Sequence, residues 1–159
     1  MFGFFASPPF HDPQLGELLR ARGHWRGSIT VSPYSTVPLV LVGARSEPDA
    51  QAVQVARQVA TSFDRWRPII EEALFEHYQP YAESLAAGEL PAADEAVARL
   101  KVASEVWPQV SLIYVAVTPL DGVLTTELAY ATSWDEEHTL GARFQADTFI
   151  ELCGSVLPP

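Results

Sequence analysis

Two hydrophobic periods alternate along the chain. Between Val53 and Tyr81, apolar side chains recur at steps of three and four: Val53, Ala56, Val59, Ala60, Phe63, Trp66, Ile70, Leu74, Tyr78 and Tyr81. Such steps place them on one stripe of a helix, with Gln51, Gln58, Arg65, Glu72 and Glu76 opposite. One long amphipathic helix is predicted. Ser46 stands at an N-cap position, Asp49 occupies the capping-box position three residues on, and Pro48 suits the first turn. Pro68 lies inside the stripe. It lacks the N–H that would bond the Asp64 carbonyl, so a kink is expected there. Pro80 weakens the helix end.

Elsewhere the period is two, or the run is short and β-branched. Ser28–Ser32 alternates, and Val37–Val42 is dense enough in Val and Leu to read as a strand covered on both faces. Val110–Val117 is of the same central type. Asp121-Gly122 is a hairpin turn signal between apolar runs. Val123–Ser133 then places Leu124, Thr126, Leu128, Tyr130 and Thr132 on one face. Leu140–Gln145 and Thr148–Leu152 form a last hairpin around Ala146-Asp147.

Three segments are less sharply marked. Leu15–Arg20 and Trp25–Ser32 fit a hairpin around Ala21-Arg22-Gly23, with a short helix begun by Asp12 and Pro13 as the alternative. Ala92–Val102 reads as a shorter helix, and Ser104–Pro108 as a turn that buries Trp107. Residues 1–14, with Pro8, Pro9 and Pro13, read as an irregular lead-in. Strands cluster at both ends and helices in the middle. That order predicts a single α+β domain over residues 1–159, with a mostly antiparallel sheet packed against one long kinked helix and a shorter one.

Composition narrows the function more than the fold. The 159 residues are 48% hydrophobic, which suits one domain with a sizeable core. Net charge is −10, and it is uneven. Residues 1–67 carry seven Arg against five acids, whereas residues 68–159 carry three bases against fifteen acids. Such a surface repels phosphate, so nucleic acid and anionic membrane are poor partners and a basic protein, or a metal cation, is a better one. The lone Cys153 permits no intrachain disulfide, which fits a reducing, cytoplasmic setting, and its apolar neighbours read it as a small buried hydrophobe. No run reaches the ~18 apolar residues of a membrane span. Met1–Ala6 lacks the basic start of a signal peptide.

Three polar segments carry candidate chemistry. The first is Trp134-Asp135-Glu136-Glu137-His138, between two strands. Carboxylates beside a His are metal-binding types, but in an extended segment Glu136 and His138 face one way and Asp135 and Glu137 the other. The structural alternative has Trp134 plugging the core, an acid accepting backbone N–H groups in the turn, and His138 bonded to a neighbouring element. The second is Glu76-His77-Tyr78 with Tyr81, where His77 and Tyr81 are neighbours on a helix surface and the His reads as packed and hydrogen-bonded. The third is Trp25-Arg26, with Trp25 entering the core and Arg26 placed to meet an acid of the helix or a partner. No nucleophile elbow, phosphate-binding loop, paired C-x-x-C or calcium loop occurs, and no cofactor is implied.

Asp12-Pro13-x-Leu15-Gly16-x-Leu18, Trp25-Arg26-Gly27, Pro48-Asp49, Glu76-His77-Tyr78 and Trp134–His138 followed by Thr139-Leu140-Gly141 together resemble an uncharacterised bacterial family of stand-alone domains. Its C-terminal mark is W-D-x-E-H followed closely by glycine, and Thr139 stands where related sequences often carry Gly after the His. The resemblance implies a shared α+β fold over roughly residues 10–157 and no established activity. The expectation is therefore a non-enzymatic protein-binding module, immunity-type or regulatory. The alternative is a metal-assisted hydrolase using Glu137 and His138.

Overall fold

The computed structural model describes residues 6–32, 36–89 and 99–159. Among them, eight strands form one sheet whose spatial order follows the chain. They are β1 (Phe10–Asp12), β2 (Gly16–Ala21), β3 (His24–Thr30), β4 (Thr36–Leu41), β5 (Val110–Leu120), β6 (Val123–Thr132), β7 (Leu140–Gln145) and β8 (Thr148–Cys153). Every neighbouring pair is antiparallel except β4 and β5. A parallel pair needs a long crossover, and helix α1 (Ala50–Ala86) and a 3-10 helix (Ala103–Gln109) lie within it. The α+β class and the mostly antiparallel sheet are as the sequence predicts.

The hairpins form where expected. Residues 16–30 are β2 and β3, closed by Arg22 and Gly23 at φ 52° and 82°. The β5–β6 turn has Asp121 and Gly122 at φ 51° and 80°, the left-handed pair whose twist matches a tight hairpin. Four readings need correction. Phe10–Asp12 is a strand paired with Leu18–Gly16, so the lead-in is shorter than residues 1–14. Ser104–Pro108 lies inside the 3-10 helix, where Val106 is the buried residue and Trp107 is only half-buried. Of the helix expected over Ala92–Val102, residues 92–98 lie outside the described residues and residues 99–102 are not helical. Cys153 is half-buried rather than buried.

Helix α1 begins three residues later than Ser46 suggests. Asp49 is the N-cap and its side chain accepts from the Ala52 N–H at 2.8 Å. Pro48 still forms a β-bridge with Gly43, so the chain is extended up to the cap. From there the helix continues through Pro68 and Pro80. Each proline forfeits one backbone bond, while Phe63, Trp66, Ile70, Leu74 and Tyr78 on the same stripe are all buried. Packing of that stripe holds the helix where local propensity would break it. Ala60 is exposed, the adjacent Val59 taking the core position. The stripe packs on one face of the sheet, against Trp25, Leu41, Val115, Leu128, Tyr130 and Phe144 among others.

The opposite face is partly covered by the chain's own last residues. Val156 joins Val40, Tyr114, Ala116 and Ala129 in a second cluster. Its N–H donates to the Thr139 carbonyl at 2.9 Å, and Arg26 donates to the Pro159 backbone oxygen at 2.7 Å. So β4 and β5 carry buried side chains on both faces, as their Val-rich runs imply. No helix among the described residues is long and apolar enough to cross a membrane.

Candidate functional site

Two of the three polar segments come together at the C-terminal half of α1. The β6–β7 loop, residues 133–139, folds over His77 and Tyr81. Trp134 is 5% exposed. Its ring meets Tyr78 edge-on at 5.5 Å, and its indole N–H donates to Nδ1 of His77 at 3.0 Å. The plug role expected of Trp134 is therefore met, and its polar tip explains why a His stands in a mostly apolar helix face. Because Nδ1 accepts, the neutral His77 ring carries its proton on Nε2. Burial lowers the His77 pKa, as does His138, while the Asp135 charge opposes the shift.

Asp135 is the centre of the loop. Its N–H donates to Thr132 Oγ1 at 3.2 Å, which tightens the turn. Its carboxylate accepts from the Tyr81 hydroxyl at 2.9 Å and meets His138 Nδ1 at 3.0 Å. The turn thus puts Asp135 and His138, three apart, on one side, where an extended segment would have separated them. It also corrects two expected partners. The acid accepts from a Tyr and a His rather than from backbone N–H groups, and His138 bonds within its own turn rather than to another element. Burial alone would raise the Asp135 pKa, but bonds from His138 and Tyr81 and the nearby imidazoles hold it below the ordinary carboxylate value. Burial, reinforced by the Asp135 bond and charge, pushes the Tyr81 hydroxyl up. The phenol therefore keeps its proton, which it donates in the hydrogen bond to Asp135.

The remaining loop residues face outward. Glu136 and Glu137 are exposed, and the His138 side chain is 46% exposed. His138 meets the Asp135 carboxylate through Nδ1, and a His oriented in this way through one ring nitrogen leaves the other as the acceptor a general base uses. Nothing on the described chain uses it: no Ser, Thr or Cys side chain bonds to it, and no group of three His, Cys, Asp or Glu is placed to hold a metal.

The third segment lies apart from this site. Trp25 is fully buried and bonds the Ala44 carbonyl at 2.9 Å. Arg26 meets no helix acid. It donates to the Ala21 carbonyl and to Pro159, so it ties the sheet to its own tail. A further ionic site lay hidden in the sequence. Asp12 is buried, and its Oδ2 takes both Nε and Nη2 of Arg57 on α1, while Oδ1 accepts from the N–H groups of Gln14 and Leu15. The Arg57 bond leads in lowering the Asp12 pKa to about 2. The Asp-Pro turn signal was visible; its partner, 45 residues away, was not. Glu127 was missed as well. It accepts from Tyr114 at 2.7 Å and from Arg143 at 2.7 Å, on the face away from α1.

The glycine after the loop has a structural cause. A Cβ on Gly141 would stand 2.7 Å from Val156 and 3.1 Å from the Glu127 carboxylate. The tail and the ion pair close over that position only because it is bare. Residues 14–156 match the sequence model of a domain-of-unknown-function family, DUF6985. The chain belongs to that family. The DUF6985 match takes in the whole Trp134–Gly141 segment and strands β2 to β8, while β1 with Asp12 falls just before it. No curated protein and no solved structure matches the chain.

Proposed function

We propose that this DUF6985 domain is a non-enzymatic protein-binding module, of immunity or regulatory type in a bacterial cell, whose partner is basic. One observation carries the reading: the loop divides its own motif. Trp134 and Asp135 are spent on fastening the loop to α1, whereas Glu136 and Glu137 are exposed and unpaired in any ion pair among the described residues. Adjacent like charges repel, so a fold that tolerates them on a rigid turn gains nothing from them itself. The exposed Glu72 and Glu76 lie on the same half of α1 that receives the loop. With −10 overall, this surface favours capture of a cationic protein over nucleic acid. An unpaired, half-buried Cys153 supports a reducing cytoplasm as the setting.

The test is capture on immobilised protein, followed by binding kinetics on any hit. Association should slow as salt rises, because the Debye length falls from about 30 Å at ~0.01 M to about 8 Å at ~0.15 M. Reversal of Glu136 and Glu137 to Lys should slow it further. An acidic partner, or an on-rate indifferent to both changes, contradicts the proposal.

The Asp135–His138 pair favours a second reading, a metal-assisted hydrolase, since a carboxylate on Nδ1 is how a metal-bound His is commonly oriented. Elemental analysis of purified protein decides it. One equivalent of zinc, iron or manganese, lost in His138→Ala, would replace the first reading with the second.

A further inference from the structure

We infer that the groove between α1 and β8 is where the basic partner docks, and that it takes a segment carrying an aliphatic or aromatic anchor flanked by Lys or Arg. This rests on the reading of a basic protein partner and adds its place and chemistry. The groove holds about 400 Å³ and is lined by Pro68, Ile69, Glu72, Ala73, Glu76 and Phe149. Its floor is apolar. Ile69 is 39% exposed on a helix whose apolar stripe is otherwise turned to the sheet, and Phe149 is half-buried against Phe144 at 5.3 Å. Its rim is anionic. Glu72 and Glu76 are one helical turn apart, about 6 Å along the axis, and neither is in an ion pair among the described residues.

No cation among the described residues serves that rim. Arg65 is bonded to Asp147 at 2.9 Å, and Arg67 lies over the Trp107 ring at 5.0 Å, on the side of α1 that meets the 3-10 helix. β8 is the last strand of the sheet, so no further strand stands outside the groove. A second copy of the chain is the wrong occupant, because it would set like-charged rims together under a net charge of −10 on each copy. A cationic segment with one apolar anchor satisfies both the floor and the rim.

The experiment uses isotope-labelled full chain and three hexapeptides, alternating Arg-Leu, Arg-Ser and Glu-Leu, titrated at low salt and read by amide chemical shifts. The Arg-Leu peptide should move signals around Ile69, Ala73 and Phe149, with affinity about tenfold above either of the others. Ile69→Lys should abolish those shifts, and Glu72→Gln with Glu76→Gln should weaken them about tenfold while leaving the rest of the spectrum in place. Equal binding of the Arg-Ser peptide, or shifts unaltered by Ile69→Lys, overturns the groove. If the Arg-Leu peptide instead moves only the Glu136–Glu137 turn, the groove fails while the basic-partner reading stands. If neither arginine peptide moves any acidic residue, both fail.

Discussion

Each half of α1 is fastened to a loop by one buried aspartate, and the two fastenings differ. At the N-terminal half, Asp12 accepts two backbone N–H groups and the Arg57 guanidinium. Arg57 is always charged, so this staple is closed, and only strong acid opens it. At the C-terminal half, Asp135 is held by Tyr81 and His138, and its neighbour Trp134 rests on His77. Beside this fastening stand two exposed acids, Glu136 and Glu137, in no ion pair among the described residues. A fully satisfied aspartate is a structural clamp. A clamp with exposed, unspent charge beside it is where the proposed contact surface lies.

Removing the ring that seats the second fastening should cost most. Trp134→Ala should destabilise the domain by about 3–5 kcal/mol, and His138→Ala by less than about 1 kcal/mol, read as denaturant midpoints. Equal small losses would mean that the loop is not plugged into the core. Asp12→Ala should follow at about 1–3 kcal/mol, since it leaves two N–H groups and a guanidinium without their acceptor. If Asp12→Ala costs nothing, the closed clamp is dispensable and the contrast collapses.

The two ends should also separate by pH. The Asp12 pKa lies below its unfolded value, so its contribution is complete above about pH 4 and lost as pH falls toward 2. The His77 pKa is also lowered, because the folded state favours the neutral ring. Its contribution is present above the unfolded pKa near 6.5 and lost as pH falls below it. Stability should therefore start to decline below about pH 6.5, well before carboxylates titrate. His77→Gln keeps an acceptor for Trp134 and should flatten that first decline while leaving the acid limb in place. An unchanged profile would show that His77 is not the group responsible.

The sequence made the frame legible because local signals suffice for it. Asp121-Gly122 announces its turn, and the three-and-four stripe announces α1 even across Pro68. Asp49 outcompeted Ser46 as cap because Pro48 stays extended in its bridge to Gly43, a contact no local pattern reveals. The site was half legible. Trp134, Asp135, His138, His77 and Tyr81 were all singled out, but as two segments. What joins them spans 54 residues from Tyr81 to Asp135 and depends on how β6 ends over the helix. Asp12–Arg57 was illegible for the same reason, since an ion pair between distant elements leaves no period in a sequence, whereas Glu127–Arg143 depends on the register of β6 against β7.

Reversing the two unspent acids should have the smallest effect on the fold, within about 0.5 kcal/mol, because both are exposed and form no ion pair among the described residues. Its effect on binding tests the central claim most directly. The measurement is the association rate of a captured basic partner with wild type and with Glu136→Lys plus Glu137→Lys, across a salt series. The division of the motif into a fastening half and a contact half predicts a double variant with wild-type stability, an on-rate about tenfold lower at low salt, and convergence of the two proteins at high salt. A double variant that unfolds, or one that binds as fast as wild type at every salt concentration, would contradict it.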